Sequence, residues 1–373
     1  MYPLADGCFA PRNHWYVAAW SKDVERKPME RWILDEPVAL YRRESGQPVA
    51  LHGRCPHRSF PLGRSRVAGD HIVCGYHGIA FRPDGSCAEI PSQRAIPKAC
   101  AVHAYPVVER WDWIWIWPGD PALADEALIP DHFALGATDP AFKTHSGWYA
   151  LIPGRYMLMH DNLFDLTHLP HLHLDSLGGL SETKASRLDQ GPGWVSSSFE
   201  YLDVDPPDYA VKVYRYRERV DRFASVKLLF PSMHLAVEEF RKASADPSVR
   251  GELIGGTRHF HAITPATRHS CHYFFAGASS ASHPDPEFYR TSVTNVYPTL
   301  AEDISATRYI EEMIQGLGHA PSELLLRADA VCVAGRRMFE DAIRAEQAGE
   351  RYPPPASAAP ARASAAPARA ATG

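Results

Sequence analysis

Four metal-binding side chains occur in two short, similar motifs in the first third of this 373-residue chain. The first motif, C-P-H, contains Cys55 and His57, and the second, C-G-Y-H, contains Cys74 and His77. Each motif offers one thiolate and one imidazole. A zinc finger, by contrast, usually takes a cysteine pair from one element and a histidine pair from another. The mixed pairing therefore predicts two neighbouring metal ions with different ligands.

A Rieske [2Fe-2S] cluster has this ligand set, because two histidines replace two cysteines on one of its irons. The replacement raises the reduction potential, which suits a cluster that passes electrons towards oxygen chemistry. Short apolar segments and a P-D-G-S turn at 83–86 favour the cluster, since they predict a small β-sheet that carries both motifs in loops. A structural zinc ion is the alternative interpretation.

The composition of the chain argues against several functional classes. A net charge of −5 disfavours nucleic acid or an anionic membrane as the principal partner. No apolar run reaches the roughly 18 residues of a membrane span, and the N-terminus lacks the apolar core of a signal peptide. The seven cysteines do not form a dense disulfide framework. We therefore expect a cytoplasmic protein with reduced thiols.

The predicted strands and helices divide the chain into three parts. Residues 1–118 are rich in short predicted strands and end in the alternating segment W-D-W-I-W-I-W. Residues 119–352 form a mixed second domain. Its predicted strands lie near 194–204, 209–220, 224–240, 252–265 and 268–278, and its predicted helices near 287–317 and 322–349. Residues 353–373 are almost entirely Ala, Pro, Ser and Arg, which predicts a disordered tail.

A second group of metal-binding side chains lies at 160–175, with four histidines and three aspartates. Two histidines and one carboxylate form the site of non-haem Fe(II) oxygenases. His168 and His173 would point roughly 140° apart on an ideal helix, but Pro170 should break the helix between them. His171 with His173 in extended backbone is the rival pair. A third interpretation gives some of these histidines only packing or capping roles.

The carboxylate ligand is predicted from helical periodicity further along the chain. Asp303 falls on the apolar stripe around Leu300, whereas Glu302 points about 200° away from it. A bare carboxylate on a buried face is costly unless it is paired or bound to metal. Asp303 is therefore the candidate ligand. Glu311 is its competitor on the same stripe, and a buried salt bridge is the alternative for either residue.

These motifs resemble those of the Rieske non-haem iron oxygenases, specifically the single-subunit group of vanillate O-demethylase oxygenase and dicamba monooxygenase. The similarity extends from N-H-W-Y-V-A-A-W at 13–20, through D-N-L-F-D-L-T-H-L-P-H-L-H at 161–173, to A-E-D at 301–303. It implies an α+β protein, in which an N-terminal all-β Rieske domain precedes a helix-grip catalytic domain. In the helix-grip fold, an antiparallel sheet wraps around a long helix.

The resemblance also implies one [2Fe-2S] cluster and one mononuclear Fe(II) per subunit. The implied ligands are Cys55 and Cys74 for one cluster iron, His57 and His77 for the other, and His168, His173 and Asp303 for the mononuclear iron. In this family a head-to-tail homotrimer places one subunit's cluster beside its neighbour's iron. By analogy, Asp165 would bridge His77 or His57 of the neighbouring subunit to His168, with Asn162 shaping the site.

The implied function is the terminal oxygenase component of a multicomponent monooxygenase. It would use O2 and electrons from NAD(P)H through a separate reductase, since the chain has no G-x-G-x-x-G motif of its own. The favoured reaction is O-demethylation of a methoxylated aromatic acid, which releases formaldehyde. Ring hydroxylation, N-demethylation, a subunit of a ring-dihydroxylating α3β3 complex and a non-catalytic electron-transfer or binding protein are the alternatives.

An aromatic acid would need a cation or a polar group to hold it in an otherwise apolar pocket. His261 lies in H-A-I-T-P, where the dicamba enzyme has a histidine that contacts substrate, so it is the first candidate. Arg258 and His259 are weaker candidates, because strand alternation places one of them on the outer face of the sheet.

Overall fold

The computed structural model describes residues 8–131, 138–174, 176–177, 186–246, 249–281, 283, 285, 287–319 and 321–352. The predicted tail at 353–373 lies outside the described residues. Among the helices of the described part, none has both the length and the apolar character needed to cross a bilayer.

The N-terminal part is built from short antiparallel strands, as the alternating sequence predicts. Its strands are β1 (Tyr16–Trp20), β2 (Met29–Ile33), β3 (Glu36–Arg42), β4 (Pro48–His52), β5 (Arg66–Ala68), β6 (His71–Val73), β7 (Ala80–Phe81), β8 (Cys87–Glu89), β9 (Ala104–Tyr105), β10 (Val107–Arg110) and β11 (Trp113–Ile116). They form three small sheets with the orders β1-β11-β10, β2-β3-β4-β9 and β5-β6-β7-β8. The first Cys-His motif therefore lies between β4 and β5, and the second between β6 and β7.

Strand β11 connects the core of the N-terminal part to the rest of the molecule. Its side chains alternate between two buried clusters, so both faces of the strand are covered. Trp113 and Trp115 pack in one cluster with Phe260 and Phe274 from the second part of the chain. The tryptophans thus share one face, as period-two alternation predicts, and that face packs against the neighbouring large sheet.

The second part contains one seven-stranded antiparallel sheet with the order β12-β18-β17-β16-β15-β14-β13. Its strands are β12 (Phe142–Ile152), β13 (Arg187–Gly191), β14 (Trp194–Val204), β15 (Val220–Leu229), β16 (Met233–Lys242), β17 (Leu253–Thr267) and β18 (Ser270–Ser280). Its helices are α1 (Tyr156–Phe164), α2 (Leu169–Leu172), α3 (Asp208–Tyr214), α4 (Phe288–Asn295), α5 (Tyr297–Leu317) and α6 (Ala330–Gln347). The long helix α5 packs against α1, α4 and β12. This is the predicted arrangement of an antiparallel sheet around a long helix.

Two predicted strands of this sheet are wrong. Half of the segment at 209–220 belongs to helix α3, because Pro207 precedes the helix with an extended backbone and Asp208 supplies a favourable acid in its first turn. The segment predicted as one strand at 224–240 is a hairpin of β15 and β16. Pro231 lies in the connection, where its missing N–H costs no ladder hydrogen bond.

The two predicted long helices are shorter than expected. The segment at 287–317 is divided into α4 and α5 at Val296, and Pro298 occupies the second position of α5, where a missing N–H is harmless. The segment at 322–349 becomes helical only from Ala330. These breaks leave Asp303 in the second turn of α5, facing α1.

Candidate functional site

The two Cys-His motifs lie in loops with the same backbone hydrogen-bond pattern. The N–H of Ser59 donates to the carbonyl of Cys55, and the N–H of Gly78 donates to the carbonyl of Cys74, both over 3.0 Å. Each cysteine N–H in turn donates to the carbonyl five residues further on, over 3.0 and 2.8 Å. Ser59 and Gly78 both adopt left-handed backbone, with φ of 57° and 72°. Two loops of the same shape thus present their side chains to one place.

The ligand side chains of these loops are divided between the interior and the surface. Cys55 and Cys74 are buried, whereas His57 and His77 are exposed, with ring centroids 4.5 Å apart. Burial and the neighbouring Cys74 thiol raise the pKa of Cys55 to about 11, so this thiol stays protonated unless a metal binds it. Paired inner thiols and paired outer imidazoles fit two irons with unlike ligands, as in a [2Fe-2S] Rieske cluster.

A second metal-binding group forms between α2 and α5. The Nε2 atoms of His168 and His173 lie 3.3 and 3.1 Å from Oδ1 of Asp303, and the three ligand atoms lie within 4.8 Å of one another. The Nε2 atom of His173 is buried and makes no hydrogen bond among the described residues. A buried nitrogen without a hydrogen-bond partner needs an explanation, and a metal ion supplies one. Two imidazoles and one carboxylate fit a mononuclear non-haem iron.

Both imidazoles are oriented through their other nitrogen. Nδ1 of His173 donates to Oε2 of Glu302 over 2.7 Å, and the same oxygen accepts from the Ser176 hydroxyl over 2.7 Å. Nδ1 of His168 donates to the main-chain carbonyl of Asp165. Because carbonyl and carboxylate oxygens only accept, both rings keep Nε2 free for a metal ion.

The two neighbouring imidazoles keep the carboxylate of Asp303 ionised. Burial opposes its ionisation, but the adjacent rings of His168 and His173 outweigh burial and lower the pKa of Asp303 to about 2. The Nδ2 of Asn162 also donates to Oδ1 of Asp303 over 3.0 Å. Asn162 therefore contacts the ligand group itself, and its site-shaping role stays a prediction.

The rival ligands lie elsewhere. His171 is exposed and does not join the group. Glu311 is buried, but it pairs with Arg155, with Nε and Oε2 separated by 2.5 Å, and it accepts from Nδ1 of His269 over 2.9 Å. Glu311 thus forms a buried salt bridge, which was the alternative to metal binding for this residue. The predicted break at Pro170 is wrong, because Leu169 has helical backbone and Pro170 occupies the second position of α2, where its missing N–H is harmless. His168 and His173 come together because they lie at the two ends of this short helix.

Asp165 lies at the junction of α1 and the following turn. Its Oδ1 accepts from the N–H and the hydroxyl of Thr167 over 2.8 and 2.6 Å. Its contact with His168 runs through the main-chain carbonyl rather than the carboxylate. The bridge from the Asp165 carboxylate to a neighbouring subunit stays a prediction.

A cavity of about 290 Å³ opens beside the metal-binding group. Its lining is largely apolar near the ligands, with Leu163, Leu166 and Leu300 among the contributors. Its aromatic residues are Phe199, Tyr209, Tyr214 and Phe288. Five other aromatic residues of the sheet region are buried core residues that do not line the cavity, namely Phe230, Phe240, Phe260, Tyr273 and Phe275. An apolar cavity with a few polar groups is typical of a small-molecule site.

His261 lines this cavity and has one free ring nitrogen. Its Nδ1 lies 2.5 Å from the hydroxyl of Tyr273, while its Nε2 is buried without a partner among the described residues. Burial lowers the pKa of His261 well below its usual value, so the ring is neutral. His259 also lines the cavity. Arg258 lies on the outer face, over the ring of Phe142, as alternation predicts.

Two features of the site were not predicted from the sequence. Glu302 holds a ligand histidine, although its position off the apolar stripe is typical of a solvent-facing residue. A charged cluster of Arg222, Glu238 and Tyr209 also lines the cavity. The available signal was the alternation of β15 and β16, which places Arg222 and Glu238 among apolar side chains of one sheet face.

Fold and site together define an iron-dependent oxygenase with a separate electron-transfer cluster. Residues 14–106 match the Rieske [2Fe-2S] domain family, and residues 152–345 match the vanillate O-demethylase oxygenase C-terminal domain family. The chain therefore belongs to the vanillate O-demethylase group of the Rieske non-haem iron oxygenases. The resemblance and the fold class predicted from the sequence are confirmed.

Curated relatives align along most of the chain. The toluene-4-sulfonate monooxygenase system iron-sulfur subunit from Comamonas testosteroni is 32% identical over 346 residues, covering 91% of this chain and 98% of the relative. The dicamba O-demethylase oxygenase component from Stenotrophomonas maltophilia is 36% identical over 283 residues, covering 74% and 80%. The vanillate O-demethylase oxygenase subunit from a Pseudomonas strain is 31% identical over 348 residues, covering 90% and 96%.

The structure agrees with the sequence comparison. Dicamba monooxygenase bound to 3,6-dichlorosalicylic acid superposes with a TM-score of 0.78 at 32% identity, covering 90% of this chain and 98% of that one. The chain is thus the oxygenase component of a Rieske monooxygenase. Its cofactors are a [2Fe-2S] cluster and a mononuclear iron, as predicted.

Proposed function

We propose that this oxygenase O-demethylates a methoxylated aromatic acid and releases formaldehyde. The observation that carries the proposal is the apolar cavity that ends at His168, His173 and Asp303, with the single free nitrogen of His261 beside them. The vanillate and dicamba relatives, which are named as O-demethylases, support the choice of reaction.

When bound, the cluster supplies single electrons and the iron uses them with O2 to hydroxylate a C–H bond. The chain's own residues decide which bond is presented. The leucines of the cavity exclude water and pack against the aromatic ring, so the methoxy carbon faces the ligand group. A hydroxylated methoxy carbon is a hemiacetal, which separates into formaldehyde and a phenol.

His261 has the chemistry to hold the acid group of the substrate. If the Tyr273 hydroxyl donates to Nδ1, the proton of the neutral ring lies on Nε2, which can then donate to a carboxylate oxygen. A neutral donor binds the acid without an uncompensated positive charge in the apolar cavity. Asn162 donates to Asp303 and thereby fixes the position of this metal ligand relative to Nε2 of His261.

The electrons are supplied by NAD(P)H through a separate reductase, or through a ferredoxin and its reductase. The exposed rings of His57 and His77 support this, because they form the accessible side of the cluster loops. Because NAD(P)H is a cytoplasmic electron donor, we place the system in the cytoplasm. None of the seven cysteines, all of which are described, forms a disulfide, which fits a reducing compartment.

We further propose that the working form is a homotrimer in which Asp165 links a neighbouring subunit's cluster to His168. Exposed apolar side chains support subunit contacts on α5, where Tyr309, Met313 and Leu317 share one helical face and are 59%, 65% and 46% exposed. Light scattering after size exclusion measures the subunit number. Replacing Tyr309 and Met313 by Glu should reduce it if this face is an interface.

The reaction is tested with anaerobically prepared, iron-loaded protein and a surrogate reductase. Consumption of NADH and O2 and release of formaldehyde are followed for a series of methoxybenzoates. Formaldehyde in a one-to-one ratio with NADH establishes demethylation. NADH oxidation without formaldehyde, together with a hydroxylated product, would establish ring hydroxylation instead. The absence of Rieske absorbance would refute the cluster assignment itself.

A further inference from the structure

A buried charged cluster lies in the substrate cavity, away from the metal-binding group. Nε and Nη2 of Arg222 lie 2.9 and 2.8 Å from Oε1 of Glu238, and the hydroxyl of Tyr209 donates to the same oxygen over 2.6 Å. All three residues line the cavity, and Arg222 is only 8% exposed. Burying an ion pair is costly, so such a pair in a ligand cavity calls for a function.

The sheet register places this cluster far from the iron end. Glu238 on β16 pairs with Thr257 on β17, whereas His261 lies four residues further along β17. Four residues of an antiparallel strand span about 14 Å. His261 itself lies close enough to Asp303 to feel its charge. A benzene ring with its substituents is shorter than this span along the strand, which favours an elongated ligand that reaches both His261 and the cluster.

The hydrogen bonds of the cluster leave one acceptor atom, Oε2 of Glu238, and one donor atom, Nη1 of Arg222, available to a ligand. All three donors converge on Oε1 of Glu238, and none of the described residues donates to Oε2. Within the same described part, Nη1 of Arg222 has no acceptor either. A group that both donates and accepts would complete this arrangement.

The charge balance of the cluster selects against an anion. Arg222 is the only lysine or arginine among the described residues that line the cavity, and Glu238 already neutralises it. A second carboxylate at this position would lie beside that of Glu238 in a medium of low dielectric constant, where like charges repel strongly. An uncharged hydroxyl or amide avoids this repulsion.

We propose that Arg222, Glu238 and Tyr209 form a second recognition subsite, which binds an uncharged hydroxyl or amide group at the far end of an elongated aromatic substrate. The proposal rests on the proposed function, since it deepens the substrate class of the same cavity. The substrate then has about two ring lengths, with its methoxy and acid groups at the iron end and the hydroxyl or amide at the other.

The test compares two matched probes in calorimetric binding titrations under anaerobic conditions, which need no turnover. Each probe is a biphenyl with a methoxy group and a carboxylate on one ring; the far ring carries a hydroxyl group in one probe and a second carboxylate in the other. Wild-type holoenzyme should bind the hydroxyl probe at least about tenfold more tightly, which corresponds to a hydrogen bond to a charged group. Equal affinities would overturn the proposal.

The variant Glu238→Gln should reverse this preference, because it leaves the Arg222 charge free to bind the second carboxylate. The matched control is Glu239→Gln, which removes a carboxylate on the same strand that does not line the cavity and should keep the wild-type preference. An unchanged preference in Glu238→Gln would refute the subsite.

A second variant protects the test against misfolding. Arg222→Leu combined with Glu238→Leu removes both charges, which buried pairs often tolerate. It should bind the two probes equally while retaining Rieske absorbance and affinity for a single-ring methoxybenzoate. A retained hydroxyl preference would contradict the proposal. Formaldehyde assays are separate: a protein that prefers the hydroxyl probe but releases no formaldehyde refutes the reaction and leaves the subsite standing.

Discussion

The ring of His173 is positioned by Glu302 at Nδ1, which leaves Nε2 facing Asp303 and free for a metal ion. The variant Glu302→Ala removes the carboxylate that accepts from Nδ1, so the ring of His173 is no longer held in one orientation. We therefore expect the affinity for iron to fall roughly 10–100-fold. Iron content after dialysis against a graded chelator measures this. Glu302→Gln keeps an acceptor and should recover part of the affinity.

The control for this experiment is Glu312→Gln on the same helix, where the side chain is 64% exposed. It should bind iron like the wild type. If Glu302→Ala retains wild-type iron affinity, the hydrogen bond to His173 has no part in the metal site. Rieske absorbance should stay unchanged in all three variants, because Cys55 and Cys74 lie in a different sheet region.

Asp165→Asn separates the charge of Asp165 from its structural bonds. An asparagine keeps the main-chain carbonyl that accepts from His168, and its Oδ1 still accepts from Thr167. We therefore expect both cofactors to be retained while turnover falls by at least about a hundredfold, comparable with the loss of a positioned charged group. Turnover, iron content and Rieske absorbance are measured on the same sample.

Thr167→Ala is the matched control, since it removes one donor to Asp165 and keeps the carboxylate. It should retain most of the turnover. Loss of iron in Asp165→Asn would instead make Asp165 a structural or metal-binding residue.

The predictability of these residues follows from where their partners lie. The spacing of Cys55, His57, Cys74 and His77 is local, and it was sufficient to predict the cluster loops. Glu302 was not predictable, because a carboxylate off the apolar stripe is usually solvated and its partner lies 129 residues away in the chain. The subsite of Arg222 and Glu238 likewise depends on the pairing of β15 with β16.

At the scale of secondary structure, helix α5 presents two buried carboxylates that the sequence pattern cannot distinguish. Asp303 faces His168 and His173, which flank α2, and Glu311 faces Arg155 in the turn before α1. Periodicity predicts that both are buried, but only tertiary packing decides which one meets imidazoles and which one meets a guanidinium. The wrong strand predictions at 209–220 and 224–240 have a similar origin, since the prolines there define breaks that the apolar pattern alone conceals.

Glu311→Gln should therefore destabilise the protein without removing iron. Breaking a buried ion pair costs about 3–5 kcal/mol in the free energy of unfolding. Urea denaturation measures this loss, and iron content should stay at the wild-type level. Glu312→Gln removes a half-exposed pair with Arg308 and should cost less than about 1 kcal/mol. An iron-free Glu311→Gln protein would contradict the assignment.

The difference in the free energy of unfolding between wild type and Glu311→Gln should depend on pH. Burial would raise the pKa of Glu311, but hydrogen bonds from Arg155, Gln315 and His269 and the charge of Arg155 outweigh burial and lower the pKa from 4.5 to about 2. A carboxylate whose pKa is lower in the folded state than in the unfolded state stabilises the fold fully at pH values above its unfolded-state pKa. The stability gap between wild type and Glu311→Gln should thus be constant above about pH 5 and shrink as the pH falls towards 2.

At the scale of the whole molecule, the cluster-bearing part and the catalytic sheet are held in a fixed relation. The N–H groups of Leu34 and Asp35 donate to the carbonyls of Pro265 and Ala266 over 3.0 Å each, and the hydroxyl of Thr264 donates to the carbonyl of Val17 over 2.7 Å. The tryptophans of β11 bury their rings against the same sheet. Shared cores of this kind do not permit the N-terminal part to swing its cluster towards the iron.

If electrons pass between subunits of the proposed trimer, two inactive variants should complement each other. Cys74→Ser removes the cluster, and Asp303→Ala removes the iron. Co-expressed with different tags and purified through both, mixed oligomers should regain activity, because a subunit with an intact cluster then stands beside one with intact iron. Activity is measured as NADH-dependent formaldehyde release per intact iron.

The controls use each variant alone, which must keep its remaining cofactor and stay inactive. A variant that combines Cys74→Ser with Asp303→Ala, co-expressed with either single variant, should also be inactive. Mixed oligomers that hold both cofactors yet stay inactive would show that transfer occurs within one subunit.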